Sequence, residues 1–181
     1  AQARLVVLEM ADAVSLDMVR KGLVGRYMTL TVGYGRMNLV DPVRWIAYQG
    51  EVKQDGYGRL IPKHSHGTIH FGSATASSQK LLAAAGMLFD RIVHPGLLVR
   101  RLTVTVEEVT MAGEQAYEQM DLSSLLEGPE KRRQEEREQA LQHVIVSIQK
   151  KYGKNALLRA MDLEAGATAR QRNGQIGGHR A

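Results

Sequence analysis

Apolar and polar positions change period several times along the chain, and each change marks an element. Val7, Ala11, Val14 and Met18 recur on one face of a helix over residues 4 to 21. Arg20 and Lys21 suit the C-terminal end of its dipole, and Gly22 suits the position just past the end. Residues 27 to 34 alternate instead: Met28, Leu30, Val32 and Tyr34 point one way, Thr29, Thr31 and Gly33 the other, which predicts a strand. From Gly35 to His66 the periodicity lapses among Pro42, Gly50, Gly56, Gly58 and Pro62, giving a long excursion with a small hairpin around Asp55-Gly56. Alternation returns over 67 to 72, with Ile69 and Phe71 opposite Thr68 and His70. Ser77 or Ser78 then caps a helix striped by Leu81, Ala85, Leu88 and Ile92, which stops at His94-Pro95-Gly96. Residues 100 to 109 form the cleanest strand, with Leu102, Val104 and Val106 inward and Arg101, Thr103 and Thr105 outward.

The order is helix, strand, strand, helix, strand, and every strand has an aliphatic face and a Thr/Arg/His face. Two helices with one apolar stripe each must cover the aliphatic face. This is an α+β fold, the ferredoxin-like split β-α-β sandwich: an antiparallel sheet with two helices on one face and its first strand missing. The other sheet face is polar and open. The expected first domain is 1–113. A linker-like stretch follows over 114–129, then a helical extension over 130–163 that is charged on all sides at first and later striped by Leu141, Val144, Ile145, Ile148 and Tyr152. Residues 164–181 are small, basic and glycine-rich, and read as a tail that is mobile or ordered only by a partner.

Composition narrows the chemistry. The 181 residues contain no cysteine, which excludes disulfide scaffolds, thiolate metal sites and cysteine nucleophiles, and fits a reducing cytoplasm. No apolar run approaches the roughly 18–20 residues of a membrane span. The chain has no initiator Met and starts inside a helical pattern, so it is expected to be a piece of a longer protein. A net charge of +5 favours a polyanionic partner only weakly.

Three of the six histidines fall within KHSHGTIHFG, residues 63 to 72. His64-x-His66 resembles half a metal site, but zinc needs further ligands, and the nearby acids Glu51 and Asp55 lie in the unpatterned excursion. The plainer reading is partner-facing histidines, with no metal. No nucleophile elbow, Walker loop or His-Glu-x-x-His is present, and Glu107-Glu108 face opposite ways on a strand, so no catalytic residue is assigned. The polar face is more informative. Small hydroxyls admit a close backbone, and phosphates are held by hydroxyls, backbone N–H groups and Arg/Lys such as Lys63, Arg100, Arg101, Arg20, Lys21 and Arg26. An ordinary solvated face rich in β-branched Thr is the alternative.

With these segments placed, ARLVVLEMADAVSLDMVRKGLVGRYMTLTVGY resembles the start of the little finger domain of Y-family translesion DNA polymerases, in their UmuC/DinB-like (ImpB/MucB/SamB) bacterial branch. The stretch from YGRLIPKHSHGTIHFG to RRLTVTVEEV and the ending GATARQRNGQIGGH resemble the same branch. The resemblance implies a domain that lies along a primer-template duplex and holds its phosphates with little sequence preference, in the bacterial cytoplasm, during SOS repair of DNA damage. The implied contacts are Thr29, Thr31, Lys63, His64, His66, Thr68, His70, Arg100, Arg101, Thr103 and Thr105. The acids that hold catalytic magnesium in such polymerases belong to a core absent from this chain, which is not expected to polymerise alone and needs no cofactor of its own. The family's first strand is expected to be central. Its loss would leave paired edges open, and the expected reasons are that it lies before Ala1, that it is disordered, or that the C-terminal region or a partner chain, a homodimer included, replaces it.

Family members also often carry a sliding-clamp peptide after this domain. Gln119, Met120, Asp121 and Leu122 match its opening; Ser123 stands where an aromatic is usual, with Leu125 and Leu126 just beyond. This keeps open a rival reading in which the sheet is a passive support and the chain is a protein-interaction module docking the clamp or another repair partner. A third reading is a metal-dependent enzyme built on His64, His66 and His70.

Overall fold

A computed structural model describes residues 2–113, 129–176 and 179–180. Helix α1, Gln2–Lys21, runs to Gly22, whose positive φ of 66° ends it and whose N–H donates to the Val19 carbonyl at 3.1 Å. Strand β1, Leu23–Tyr34, buries Met28, Leu30, Val32 and Tyr34, the four residues of its aliphatic alternation. The excursion is ordered. It contains short helices α2, Met37–Val40, and α3, Pro42–Ala47, then a hairpin of β2, Val52–Gln54, with β3, Leu60–Pro62. Asp41 caps α3 by accepting from the Val43 and Arg44 N–H groups, and Pro42 supplies the first helical residue. Buried Asn38 ties the excursion to the sheet: its amide donates to the Gly35 and Leu98 carbonyls and accepts from Leu98 N–H.

Strand β4, Ser65–Thr75, leads into helix α4, Ser78–Ile92, capped by the Ser77 hydroxyl, which accepts from Lys80 N–H. Strand β5, Val99–Glu107, follows, and β6, Thr110–Met111, continues pairing with β1 after Glu108, which has a φ of 50°. α1 and α4 cover one face of the antiparallel sheet. Val7, Ala11 and Met18 meet Met28, Leu30, Val32, Leu81, Ala85 and Leu88 in the core. At Gly67 the strand and helix come so close that a Cβ would sit 2.8 Å from Ile92 Cγ2 and 3.2 Å from Leu88 Cδ2.

The α+β sandwich is thus the one expected, but its strand order differs from the expected gap. The order is β4-β1-β5, and β1 pairs directly with both neighbours. Among the described strands no central position is open, because β1 pairs with β4 along one edge and with β5 along the other. The outer edges of the described sheet belong to β4 and β5.

The C-terminal region brings the second correction. Helix α5, Pro129–Tyr152, packs on α1 and on the start of α4. Gln142 is buried, and its amide donates to Ser15 Oγ at 2.8 Å and to the Ala76 carbonyl and Ser78 Oγ at 3.0 Å. Glu138 accepts from the Ser77 hydroxyl and from Gln79 N–H. Residues 164–181 read as a mobile tail, yet those from Thr168 to Asn173 are tied down. The Glu9 carboxylate, on α1 and 0% exposed, accepts from Thr168 N–H, the Thr168 hydroxyl and Ala169 N–H, and pairs with Arg172 at 3.0 Å. It thereby caps helix α6, Ala169–Asn173, from a distance of some 160 residues in sequence. Asp12 and Arg159 form an ion pair at 2.7 Å in the same seam, and burial there pushes the Asp162 carboxyl above the ordinary range, with Asp12 and Glu9 adding repulsion. The clamp-like residues Gln119, Met120, Leu122 and Leu125 lie outside the described residues.

Candidate nucleic-acid interface

The register of the sheet converts a list of polar residues into rows. Thr29 of β1 stands between Thr68 of β4 and Thr105 of β5. Thr31 stands between His66 and Thr103, and Gly33 pairs with Arg101. Because side chains alternate along each strand, these rows share the face away from α1 and α4. Thr68, His66, His70, Arg101, Thr103 and Thr105 are exposed; Thr29, in the central strand, is 8% exposed.

Neighbouring side chains in these rows are hydrogen-bonded. The Thr29 and Thr68 hydroxyls are 2.9 Å apart, and Thr31 Oγ1 is 3.2 Å from His66 Nδ1. His70 Nδ1 accepts from Gly72 N–H, where a positive φ of 83° suits only glycine, and the imidazole leans on the Tyr27 ring at 4.7 Å between centroids. His66 and His70 therefore have protein partners. Among the described residues no group of three or more His, Cys, Asp or Glu is arranged to hold a metal ion.

The structure also separates the basic residues. Arg101 lies on the open face. Arg100 falls at the register shift between Gly33 and Tyr34 and packs beside Gly35. Lys63 is held at the hairpin by an ion pair with Glu51, which lowers the Glu51 carboxyl below its ordinary range, and His64 is exposed just before β4. Arg20 and Lys21 both pair with Asp17 on α1, and Arg20 also reaches Gln149 of α5, so they serve the helical side of the molecule.

One member of the face was missed in the sequence. Tyr27 continues the alternation of Thr29 and Thr31 and pairs with His70 on one side and Glu107 on the other. Gly33, expected on this face, leaves the backbone bare beside Arg101, where a Cβ would meet Arg101 Cβ at 3.3 Å. Tyr27 was legible from the period-two pattern. Arg91 was not: it leaves α4 to donate to the Thr68 carbonyl at 3.1 Å, a contact only the fold creates.

A family model described as impB/mucB/samB family C-terminal domain matches residues 1–122. No curated protein and no solved structure matches the chain.

Proposed function

Because the chain belongs to the impB/mucB/samB family, whose C-terminal domain spans its residues 1–122, we propose that its open sheet face grips the phosphate backbone of a primer-template duplex as the little finger of a Y-family translesion polymerase. The observation that carries this reading is the set of cross-strand rows: small hydroxyls and imidazoles across β4, β1 and β5, flanked by Arg101 and bare backbone at Gly33. Short side chains let a phosphate come close to the sheet, and hydroxyls, imidazoles and guanidinium are donors suited to it.

The internal hydrogen bonds leave donors free. In the Thr29–Thr68 pair one hydroxyl donates, and the proton of the other remains for a phosphate. Thr68 is the more exposed of the two. When Thr31 donates to His66 Nδ1, the proton of the neutral imidazole sits on Nε2, the outer nitrogen. Such contacts read no base edges, so binding is sequence-neutral and falls with salt, with a log–log slope of about −0.9 per phosphate neutralised.

The test is a fluorescence-anisotropy titration of labelled duplexes of two unrelated sequences over a range of salt. The expected result is equal affinity for both, decline with salt, and weakening by Arg101→Glu. Absence of binding at low salt, or binding indifferent to salt, would refute the proposal.

A further inference from the structure

The hairpin that interrupts the sheet carries a feature the duplex contacts do not use. Tyr57, at its tip, is 84% exposed. An aromatic so exposed is ordinarily free to wander, but this one stands on a braced turn. Asp55 Oδ1 accepts from both Tyr57 N–H and Arg59 N–H, and Asp55 Oδ2 accepts from Arg59 Nε at 2.8 Å. The Asp55 carbonyl accepts from Gly58 N–H, Asp55 N–H donates to the Arg59 carbonyl, and Gly58 supplies a φ of 72°. One carboxylate thus fixes both ends of the turn. It also aims the Arg59 guanidinium, whose Cζ lies 4.8 Å from the centre of the Tyr57 ring.

The result is a ring on a braced turn, with a cation at one face and solvent around the rest. Both hairpin acids are consumed internally, Asp55 by Arg59 and Glu51 by Lys63. What the tip presents outward is the Tyr57 ring beside the guanidinium of the Asp55–Arg59 pair. A flat, electron-rich ring beside a guanidinium is the chemistry that stacks an unpaired nucleobase while drawing in its phosphate. The hairpin also leaves and rejoins the sheet between Tyr34 and Ser65, at the ends of the strands that carry Thr31 and His66.

We infer that Tyr57, with Arg59, is a stacking platform for an unpaired base of single-stranded nucleic acid next to the duplex held by the sheet. The inference rests on the duplex reading for its location, not for its chemistry. It assigns the long excursion between β1 and β4 a recognition role at a single-strand junction.

The whole chain is titrated with a blunt duplex and with the same duplex carrying an unpaired overhang that contains 2-aminopurine. Expected is tighter binding of the overhang substrate with a change in 2-aminopurine emission. Tyr57→Ala should remove about tenfold of overhang affinity, the scale of one base stack, and leave the blunt duplex unaffected. Tyr57→Phe should retain the preference. The side chain is exposed, so neither variant is expected to unfold the domain; circular dichroism checks this. Equal loss on both substrates, or no loss with Tyr57→Ala, overturns the platform while the duplex reading stands. Tyr57-dependent binding of the overhang without blunt-duplex binding supports the platform and refutes the duplex reading. Binding to neither substrate refutes both.

Discussion

Replacing Glu9 by Ala removes the anchor of the C-terminal region, and the structure sets the size of the effect. The lost carboxylate is fully buried and accepts from two backbone N–H groups and one hydroxyl besides pairing with Arg172. Breaking a buried ion pair from one side costs about 3–5 kcal/mol when the remaining charge stays buried. Here Arg172 keeps 30% of its side chain in water and can rehydrate, which places the loss at about 2–4 kcal/mol. The penalty is local, because the core of α1, α4 and the sheet contains none of these groups. Hydrogen exchange at the amides of Thr168 and Ala169 should therefore quicken by more than about tenfold, while β1 amides at Leu30 and Val32 stay protected. A double-mutant cycle with Arg172→Ala should show strong coupling. Unchanged exchange at Thr168 and Ala169, or simple additivity with Arg172→Ala, would refute the claim that Glu9 holds the tail.

Other predictions follow from the same geometry. Gly67→Ala forces a Cβ against Ile92 and Leu88 and should destabilise by about 1–3 kcal/mol, read as a lower denaturation midpoint. Gln142→Leu removes the amide whose two N–H groups serve Ser15 Oγ, the Ala76 carbonyl and Ser78 Oγ in the seam between α5, α1 and α4, and should cost about 1–3 kcal/mol, with no effect on duplex affinity. The Arg59 hydrogen bonds hold the Asp55 carboxyl at about 2, below its ordinary 3.8. Because the folded value is the lower one, the carboxylate's support for the turn is complete above 3.8 and is lost as pH falls toward about 2. The Tyr57 and Arg59 amide resonances should therefore hold their positions down to acid pH and shift only near 2; a midpoint at the ordinary value would contradict the bracing.

What the chain disclosed beforehand was whatever depends on neighbours in sequence. The alternation of β1 and β5, the Ser77 cap, the Gly22 stop and the hairpin at Asp55-Gly56 all rest on contacts a few residues long, and each stands in the structure. The hydroxyl-rich face was likewise legible, since period two alone assigns Thr29 and Thr31 to one side. Long-range pairings were not. Glu9 and Asp12 sit on α1 among residues that look solvent-facing, and only partners near Arg159 and Thr168 explain their burial. Helix α1 is covered on two sides, so its pattern is less one-sided than that of α4. Arg20, Lys21 and Lys63 stood out in the sequence as cations near strand and helix ends, but their ion pairs with Asp17 and Glu51 were not legible there. Strand order also escaped, because alternation tells which face a residue takes and not which strand lies beside it.

The central claim concerns which face of the sheet meets DNA, and amide and methyl chemical-shift mapping with a short duplex reads that directly. Perturbations should concentrate at Thr31, His66, Thr68, Arg101, Thr103 and Thr105 and fade as salt is raised. Perturbations confined to α1, α4 or α5, with those six residues silent, would contradict it.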